Sequence, residues 1–375
     1  TLIENGVDDM DLVNFDGDII YQSHQSDTGK NEVRLLKADG EASTTLLSSI
    51  QADSRDNSSI LGLYLYQNDE TKTLVIISQQ YQYGTPTCGI KEEDCVIALT
   101  RPIYWASSHY IIEYYDVTTA DDPVFTGSKR FKGSYLQSRR IDNRLYSISS
   151  LNIGVRAYNY AAKMREDIET NNALLNNISF QDLVPKTTDQ NGVEADWFGS
   201  RNCYIPEGVN ATSHRLQLTV ITSSDLDTGN VQASCFLGYS QEFYASSNAL
   251  YFSEGFDWQS KNTRIHQFDY HERGVEYAGS GTVIGRIGGK FKMNEANGYL
   301  RVISSNQNFN VIDDSLSNAE EEDISPLFDE VPNAEHYLSV LKKVDNEREL
   351  KLVSRIPNQV DDTRIGKEGE SIFAV

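Results

Sequence analysis

The chain has 375 residues and a formal net charge of −22 at pH 7. So large an excess of carboxylates argues against partners that are themselves polyanions, namely nucleic acids and anionic membrane surfaces. No apolar run approaches the roughly 18 residues that a membrane-spanning helix requires, so we predict no membrane span.

A short phrase recurs along the chain: a turn, two or three apolar residues, usually a Tyr, and then Ser. Its five copies read DGDIIYQS at 16–23, TKTLVIIS at 71–78, DNRLYSIS at 142–149, SNALYFSE at 247–254 and NGYLRVIS at 297–304. A second phrase, an alternating strand that ends in a polar turn, follows each copy. Its copies lie at 33–40, 111–123, 216–229, 264–274 and 338–349. A unit of several strands and hairpins that repeats in this way is typical of a β-propeller.

We therefore predict an all-β fold, a β-propeller of four-stranded blades that forms a single domain over residues 1–375. Five units fit between residues 7 and 359, and ESIFAV at 370–375 resembles the first strand of a sixth unit. Either this strand completes a blade and closes five blades, or the chain is truncated at its C-terminus and belongs to a larger ring. We favour the larger ring, in which the missing C-terminal blades would be partners of this chain.

Two stretches interrupt the strand pattern. Residues 156–183 carry helix formers with apolar residues near helical spacing, and Val184-Pro185 follows them. We predict a helical insertion there, within the third unit, that covers one face of the ring. Residues 313–335 are acidic and poor in strand formers, which predicts an acidic loop insertion.

The four cysteines indicate an oxidising compartment. Four cysteines allow three pairings, of which proximity in the sequence favours Cys88–Cys95 and Cys203–Cys235. A zinc site is disfavoured because no C-x-x-C pair is present. Disulfides form in secreted, periplasmic and cell-surface proteins. We therefore expect one of these locations, and the first residue, which is not Met, suggests a mature or trimmed product.

Several segments resemble one known family. These are NGVDDMDLVNFDGDIIY at 5–21, the stretch at 111–150, SFQDLVPKT at 179–187 with NCYIP at 202–206, and the stretch at 263–304. They are similar to bacterial and archaeal secreted proteins with a C-terminal β-propeller domain. The resemblance implies the fold and a location outside the cytoplasm, and it implies no catalytic residues. Family members usually continue past the point where this chain stops.

Two groups of residues are candidate sites. Asp8, Asp9, Asp11 and Asp16 surround a turn and are candidate ligands for Ca²⁺, which prefers six to eight oxygens. The alternative is that Asp16 makes the hairpin turn and the other three cap a loop or face solvent. Tyr104, Trp105 and Tyr110 lie near the Cys88–Cys95 loop and are candidates for a binding surface. Their alternative role is packing between blades.

Three functions remain open. We rank first a secreted or cell-surface module that binds a protein, peptide or glycan partner at a ring face, with Ca²⁺ as a possible structural cofactor. An architectural module of an envelope assembly ranks second. An enzyme of the hydrolase type, with carboxylates paired in the central channel, ranks third because no hydrolase motif is present.

Overall fold

The computed structural model describes residues 6–25, 30–40, 43–52, 58–83, 106–153, 163–206, 217–272, 274–306 and 335–366, together with Ile372 and Ala374. Their contacts group them into two compact units, which divide between Gly238 and Tyr239. The prediction of a single domain therefore stays a prediction, and each unit is described by itself.

The first unit contains three blades, two helices and four additional strands. Its strands are β1 Val7–Asp9, β2 Val13–Phe15, β3 Ile19–Gln25, β4 Asn31–Ala38, β5 Thr44–Gln51, β6 Ser58–Gln67, β7 Lys72–Tyr83, β8 Ala106–Asp116, β9 Val124–Lys132, β10 Ser134–Ile141, β11 Arg144–Asn152, β12 Lys186–Asp189, β13 Glu194–Asp196, β14 Cys203–Tyr204, β15 Gln217–Asp225 and β16 Val231–Leu237. Its helices are α1 Arg165–Asn177 and α2 Phe180–Leu183. Blade 1 is β2–β5, blade 2 is β6–β9 and blade 3 is β10, β11, β15 and β16.

The second unit contains two blades. Its strands are β17 Ser240–Ala245, β18 Ala249–Glu254, β19 Asn262–His271, β20 Gly274–Ile284, β21 Met293–Ala296, β22 Tyr299–Asn306, β23 Glu335–Lys343 and β24 Leu350–Ile356. Blade 4 is β17–β20 and blade 5 is β21–β24. All four strands of every blade pair antiparallel in chain order.

The repeated phrases occupy equivalent strands, as the sequence predicts. The Tyr-Ser phrase forms the second strand of each blade (β3, β7, β11, β18 and β22), and the phrase that follows forms the third (β4, β8, β15, β19 and β23). Turn residues make the short hairpins possible: Asp142, with φ 50°, and Asn297, with φ 54°, adopt the left-handed conformation that these residue types tolerate.

Strand alternation places two apolar faces on blade 2. Neighbouring residues of β7 show the division, because Ile76 packs in a cluster with blade 1 and Ile77 packs in a cluster with blade 3. Both side chains are fully buried. The first unit is therefore a stack of three sheets with a core in each of the two gaps.

The N-terminal segment contacts the first strands of blades 2 and 3 and supplies the first strand of blade 1. Strand β1 pairs antiparallel with β10 of blade 3, Asp11 forms an isolated bridge with Leu63 of β6, and β2 opens blade 1. A Cβ at Gly62 would overlap the side chain of Met10, so the close approach requires Gly there. The repeated phrases do not predict the pairing of β1.

The insertion in blade 3 is only partly helical. Helices α1 and α2 confirm helical structure within 156–183, and residues 156–162 lie outside the described part of the chain. The insertion then continues as strands: β12 pairs with β9 at the outer edge of blade 2, and β14 pairs in parallel with β16 of blade 3. The predicted helical insertion is thus followed by strands, and the two parts together form a clasp across two outer sheet edges. The predicted cover over one face of the ring stays a prediction.

The clasp, residues 163–206, supplies aromatic side chains to the core. Trp197 and Phe198 are buried, and Trp197 contacts both Tyr110 and Phe131 of blade 2.

Neither helix of the clasp is long and apolar enough to cross a membrane, and the same is true of all helices in the described ranges.

The two blades of the second unit approach each other closely. A Cβ at Gly281 of β20 would overlap the carbonyl oxygen of Leu350 in β24, and Ser280 bridges Glu349 beside it.

The predicted acidic loop at 313–335 lies outside the described residues except for Glu335. The predicted last strand at 370–375 is also outside them, except for Ile372 and Ala374.

Candidate functional site

Two of the four aspartates predicted to bind calcium form ion pairs with β10. The Asp9 carboxylate lies 2.8 Å from Nε of Arg139, and the Asp8 carboxylate lies 2.9 Å from Nη2 of Arg140. Because β1 and β10 are antiparallel neighbours, each acid faces the arginine opposite it in the register. These two carboxylates therefore hold β1 on blade 3.

Asp16 makes the hairpin turn that the alternative interpretation expects. Its carboxylate accepts hydrogen bonds from the backbone N–H groups of Asp18 and Ile19 and from the Tyr21 hydroxyl, and it pairs with the Lys72 ammonium at 2.5 Å. Burial alone would raise the pKa of Asp16, but Lys72 and these donors outweigh it and lower the pKa to about 2. Asp16 thus links blade 1 to blade 2.

The four aspartates do not come together as a set of metal ligands. The backbone of Asp11 forms the isolated bridge with Leu63. No three His, Cys, Asp or Glu side chains within the described ranges are grouped closely enough to hold a metal ion. The Ca²⁺ site stays a prediction, without support from this geometry.

Tyr110 lies in the core instead of on a recognition surface. Its side chain is fully buried between blades 2 and 3, where the ring stacks on Phe131 at 4.8 Å. Its hydroxyl lies 3.4 Å from Ser147 and 3.3 Å from Thr222 of blade 3. The packing alternative is therefore the correct one for Tyr110. Tyr104 and Trp105 lie outside the described residues.

One predicted disulfide is confirmed. Cys203 of β14 is bonded to Cys235 of β16, and the two residues are register partners. The bond fixes the end of the clasp to the outer edge of blade 3. Cys88 and Cys95 lie outside the part of the chain that the structure describes.

A cavity of about 350 Å³ opens in the first unit between blade 2, the β15–β16 turn of blade 3 and the β12–β13 turn of the clasp. Its lining is mainly polar. The lining residues are Thr73, Tyr114, Thr126, Gly127, Ser128, Lys129, Asp189, Gln190, Asp225, Leu226, Asp227, Thr228 and Gly229.

Hydrogen bonds fix the turn that forms one wall of the cavity. Asp227 accepts hydrogen bonds from the side chains of Asn68, Asn143 and Tyr66, and these donors lower its pKa below the ordinary value. Asp225 accepts from the backbone N–H groups of residues 227 and 228 and pairs with Arg144. The sequence predicts a hairpin turn here, and the structure confirms it.

A group of exposed aromatic side chains marks one end of blade 4. Trp258 is 64% exposed and Tyr239 is 53% exposed. The Trp258 ring lies 5.0 Å from that of Phe256, and Tyr239 lies beside Gly255. We call Tyr239, Phe256 and Trp258 the aromatic surface. The sequence carries one signal for this surface, FDW in a polar turn between two strands, which none of the predictions above uses.

Charged residues lie at the same end of blade 4. Glu242 is near Arg286 and Lys292 and is bonded to the backbone N–H of Gly289. Partial burial raises the pKa of Glu242, against the effect of these neighbours. Partial burial lowers the pKa of Lys292. The nearby Glu242 carboxylate opposes this shift, and the nearby Arg286 adds to it. Charges of both signs thus lie at the same end of blade 4 as the aromatic surface.

The five blades in the described ranges, each with four antiparallel strands built from the same pair of sequence phrases, define a β-propeller protein, a class of scaffold and binding modules. The sequence model of the family described as Beta propeller domain matches residues 2–375. The chain therefore belongs to this family. A comparison with curated proteins found no match.

Proposed function

We propose that this β-propeller is a binding module that acts outside the cytoplasm and engages a protein or peptide partner through the aromatic surface. The observation that carries the proposal is that Trp258 and Tyr239, which are both more than half exposed, lie together at one end of blade 4. Tyr and Trp dominate the energetics of many interfaces because they bury much apolar area at little cost in conformational entropy.

The charges beside the aromatic surface favour a protein partner over an apolar ligand. Arg286, Lys292 and Glu242 would give a polar rim, which is the usual border of an aromatic interface centre. A location outside the cytoplasm is supported by the Cys203–Cys235 disulfide, which a reducing compartment would not maintain. The architectural and enzymatic alternatives stay predictions.

The test is a binding screen of the full chain against a displayed peptide library and a glycan array. The Trp258→Ala variant should lose at least about tenfold in affinity for every selected peptide, because removal of a central aromatic costs about 2 kcal/mol or more. Val360→Ala is the matched control, since Val360 is 98% exposed. Glycan binding without peptide binding, or equal affinity in both variants, would contradict the proposal.

Location has its own measurement. The protein should be recovered from the extracellular or envelope fraction of its source cells with Cys203 and Cys235 protected from thiol alkylation. Recovery from the cytoplasm with both thiols free would contradict this part of the proposal.

A further inference from the structure

The polar cavity of the first unit is a second site, independent of the aromatic surface in the second unit. Its volume of about 350 Å³ falls at the lower end of the range of about 300–1,000 Å³ that small-molecule sites occupy. Three separate parts of the chain form its walls: blade 2, the β15–β16 turn and the β12–β13 turn of the clasp.

The charged side chains of the lining already have polar or oppositely charged neighbours within the protein. Arg144 pairs with Asp225 at 3.3 Å. Three neutral side chains donate to Asp227. Lys129 lies directly opposite Asp189 in the register of β9 and β12. A ligand with a strong net charge is therefore not required to balance the cavity.

What the cavity offers a ligand is hydroxyl and amide groups. Five lining side chains carry hydroxyls: Thr73, Tyr114, Thr126, Ser128 and Thr228. Three of these hydroxyls already make one hydrogen bond in the protein, Thr126 to the Tyr114 carbonyl, Thr228 from the backbone N–H of Asn230 and Tyr114 with Ser224, and each keeps the capacity for another. Gln190 adds an amide whose oxygen accepts from the backbone N–H of Ser128 at 3.3 Å. A hydroxyl both donates and accepts, so this lining can match a ligand whose own groups do the same.

Glycine widens the cavity on the blade 2 side. A Cβ at Gly127 would project toward Gln190 and reach 3.6 Å from its Oε1. Both residues line the cavity, so a side chain at position 127 would occupy space that is now open. The backbone of Gly127 is not in the left-handed region, so other residues can adopt its conformation.

We propose that this cavity binds a small neutral polyhydroxylated ligand, a mono- or disaccharide. An apolar ligand would displace water from the polar groups of the lining without replacing the hydrogen bonds of that water, which is costly. A bare metal ion would leave most of the volume empty, and no metal-ligand group is present within the described ranges. Sugar hydroxyls fit both the volume and the mixture of donors and acceptors.

The test is a titration of the full chain with D-glucose, D-galactose, N-acetylglucosamine and maltose. Binding is measured by isothermal titration calorimetry and by saturation-transfer NMR. Ser128→Ala removes one hydroxyl and should weaken the bound sugar about three- to tenfold, which is the effect of one hydrogen bond. Gly127→Val fills the cavity and should weaken the sugar by more than about tenfold. Ser49→Ala, an exposed serine on blade 1, should leave binding unchanged.

Three controls keep the result decisive. Each variant must keep the thermal midpoint of the parent, and if Gly127→Val does not, Ser128→Ala alone decides the outcome. Ethylamine and acetate serve as charged probes. Any of three outcomes would overturn the proposal. These are binding of either charged probe without binding of sugars, a sugar affinity that is equal in the parent and both cavity variants, and no sugar binding at 20 mM. Because Trp258→Ala leaves the cavity intact, failure here is distinguishable from failure of the proposed function.

Discussion

Replacing Asp9 by Asn tests whether the N-terminal strand is an integral part of the first unit. The substitution keeps the size of the side chain and removes the charge that faces Arg139. Both side chains are nearly buried, at 13% exposure for Asp9 and 9% for Arg139. Removing one partner therefore leaves a charge that water cannot fully solvate.

The expected loss follows from the remaining partners of Arg139. Breaking a buried ion pair costs about 3–5 kcal/mol when the remaining charge has no other partner. Here the guanidinium keeps its hydrogen bonds to the Ser138 carbonyl and the Gln137 side chain. We therefore expect Asp9→Asn to lower the free energy of unfolding of the first unit by about 2–3 kcal/mol.

The assay is urea unfolding, monitored by tryptophan fluorescence. With Trp105 and Trp258 replaced by Phe, the signal comes from Trp197, which is buried in the core between blades 2 and 3. Asp8→Asn is the matched control, because the Asp8–Arg140 pair is more exposed, at 28% and 21%. We expect it to cost less than about 1 kcal/mol.

A double-mutant cycle separates the pair from other effects of the substitution. Arg139→Met should be destabilising alone, and the double variant with Asp9→Asn should cost less than the sum of the two single changes. Equal losses for Asp9→Asn and Asp8→Asn, or a coupling near zero, would refute the reasoning that β1 is held by a desolvated ion pair.

Three further changes have defined outcomes. Because the folded pKa of Asp16 is about 2 and its ordinary value is 3.8, its contribution is present above about pH 4 and is lost as the pH falls toward 2. Asp16→Asn should thus cost about 1–2 kcal/mol at pH 7, after allowance for solvent screening, and almost nothing in urea titrations at pH 2. Gly281→Ala should destabilise the second unit by about 1–3 kcal/mol in calorimetry, whereas Gly255→Ala, with only ordinary contacts, should cost less than about 1 kcal/mol; equal shifts would contradict the close approach of β20 and β24. Replacing Cys203 and Cys235 by Ser should lower the stability of the first unit by about 3–4 kcal/mol for a separation of 32 residues, and an unchanged urea midpoint would show that the bond adds nothing.

The sequence predicts the strands better than it predicts the roles of individual residues. Asp8 and Asp9 form a plausible metal motif when read alone, since their partners Arg139 and Arg140 lie about 130 residues away. Tyr110 has the same local pattern whether it faces solvent or a neighbouring blade. Only the contact between blades 2 and 3 decides that it is buried.

The two candidate sites could not be recognised in the sequence for a similar reason. The cavity is lined by residues from Thr73 to Gly229, which no local motif connects. The aromatic surface is a partial exception, because the Trp258 turn is short and its aromatics are adjacent in the sequence. Its exposure, however, depends on which side chains the blade covers.

The sequence by itself determined the fold class and the strands that carry the repeated phrases, and it favoured the Cys203–Cys235 pairing. Alternation with a period of two, turn residues between the strands and closeness along the chain are local properties, so they can be recognised without any tertiary contact. The tertiary structure alone decided that β1 pairs with β10, that the insertion is a clasp, and where the cavity opens. These features arise where one sheet packs on another, and many different sequences satisfy the same local pattern while meeting different neighbours.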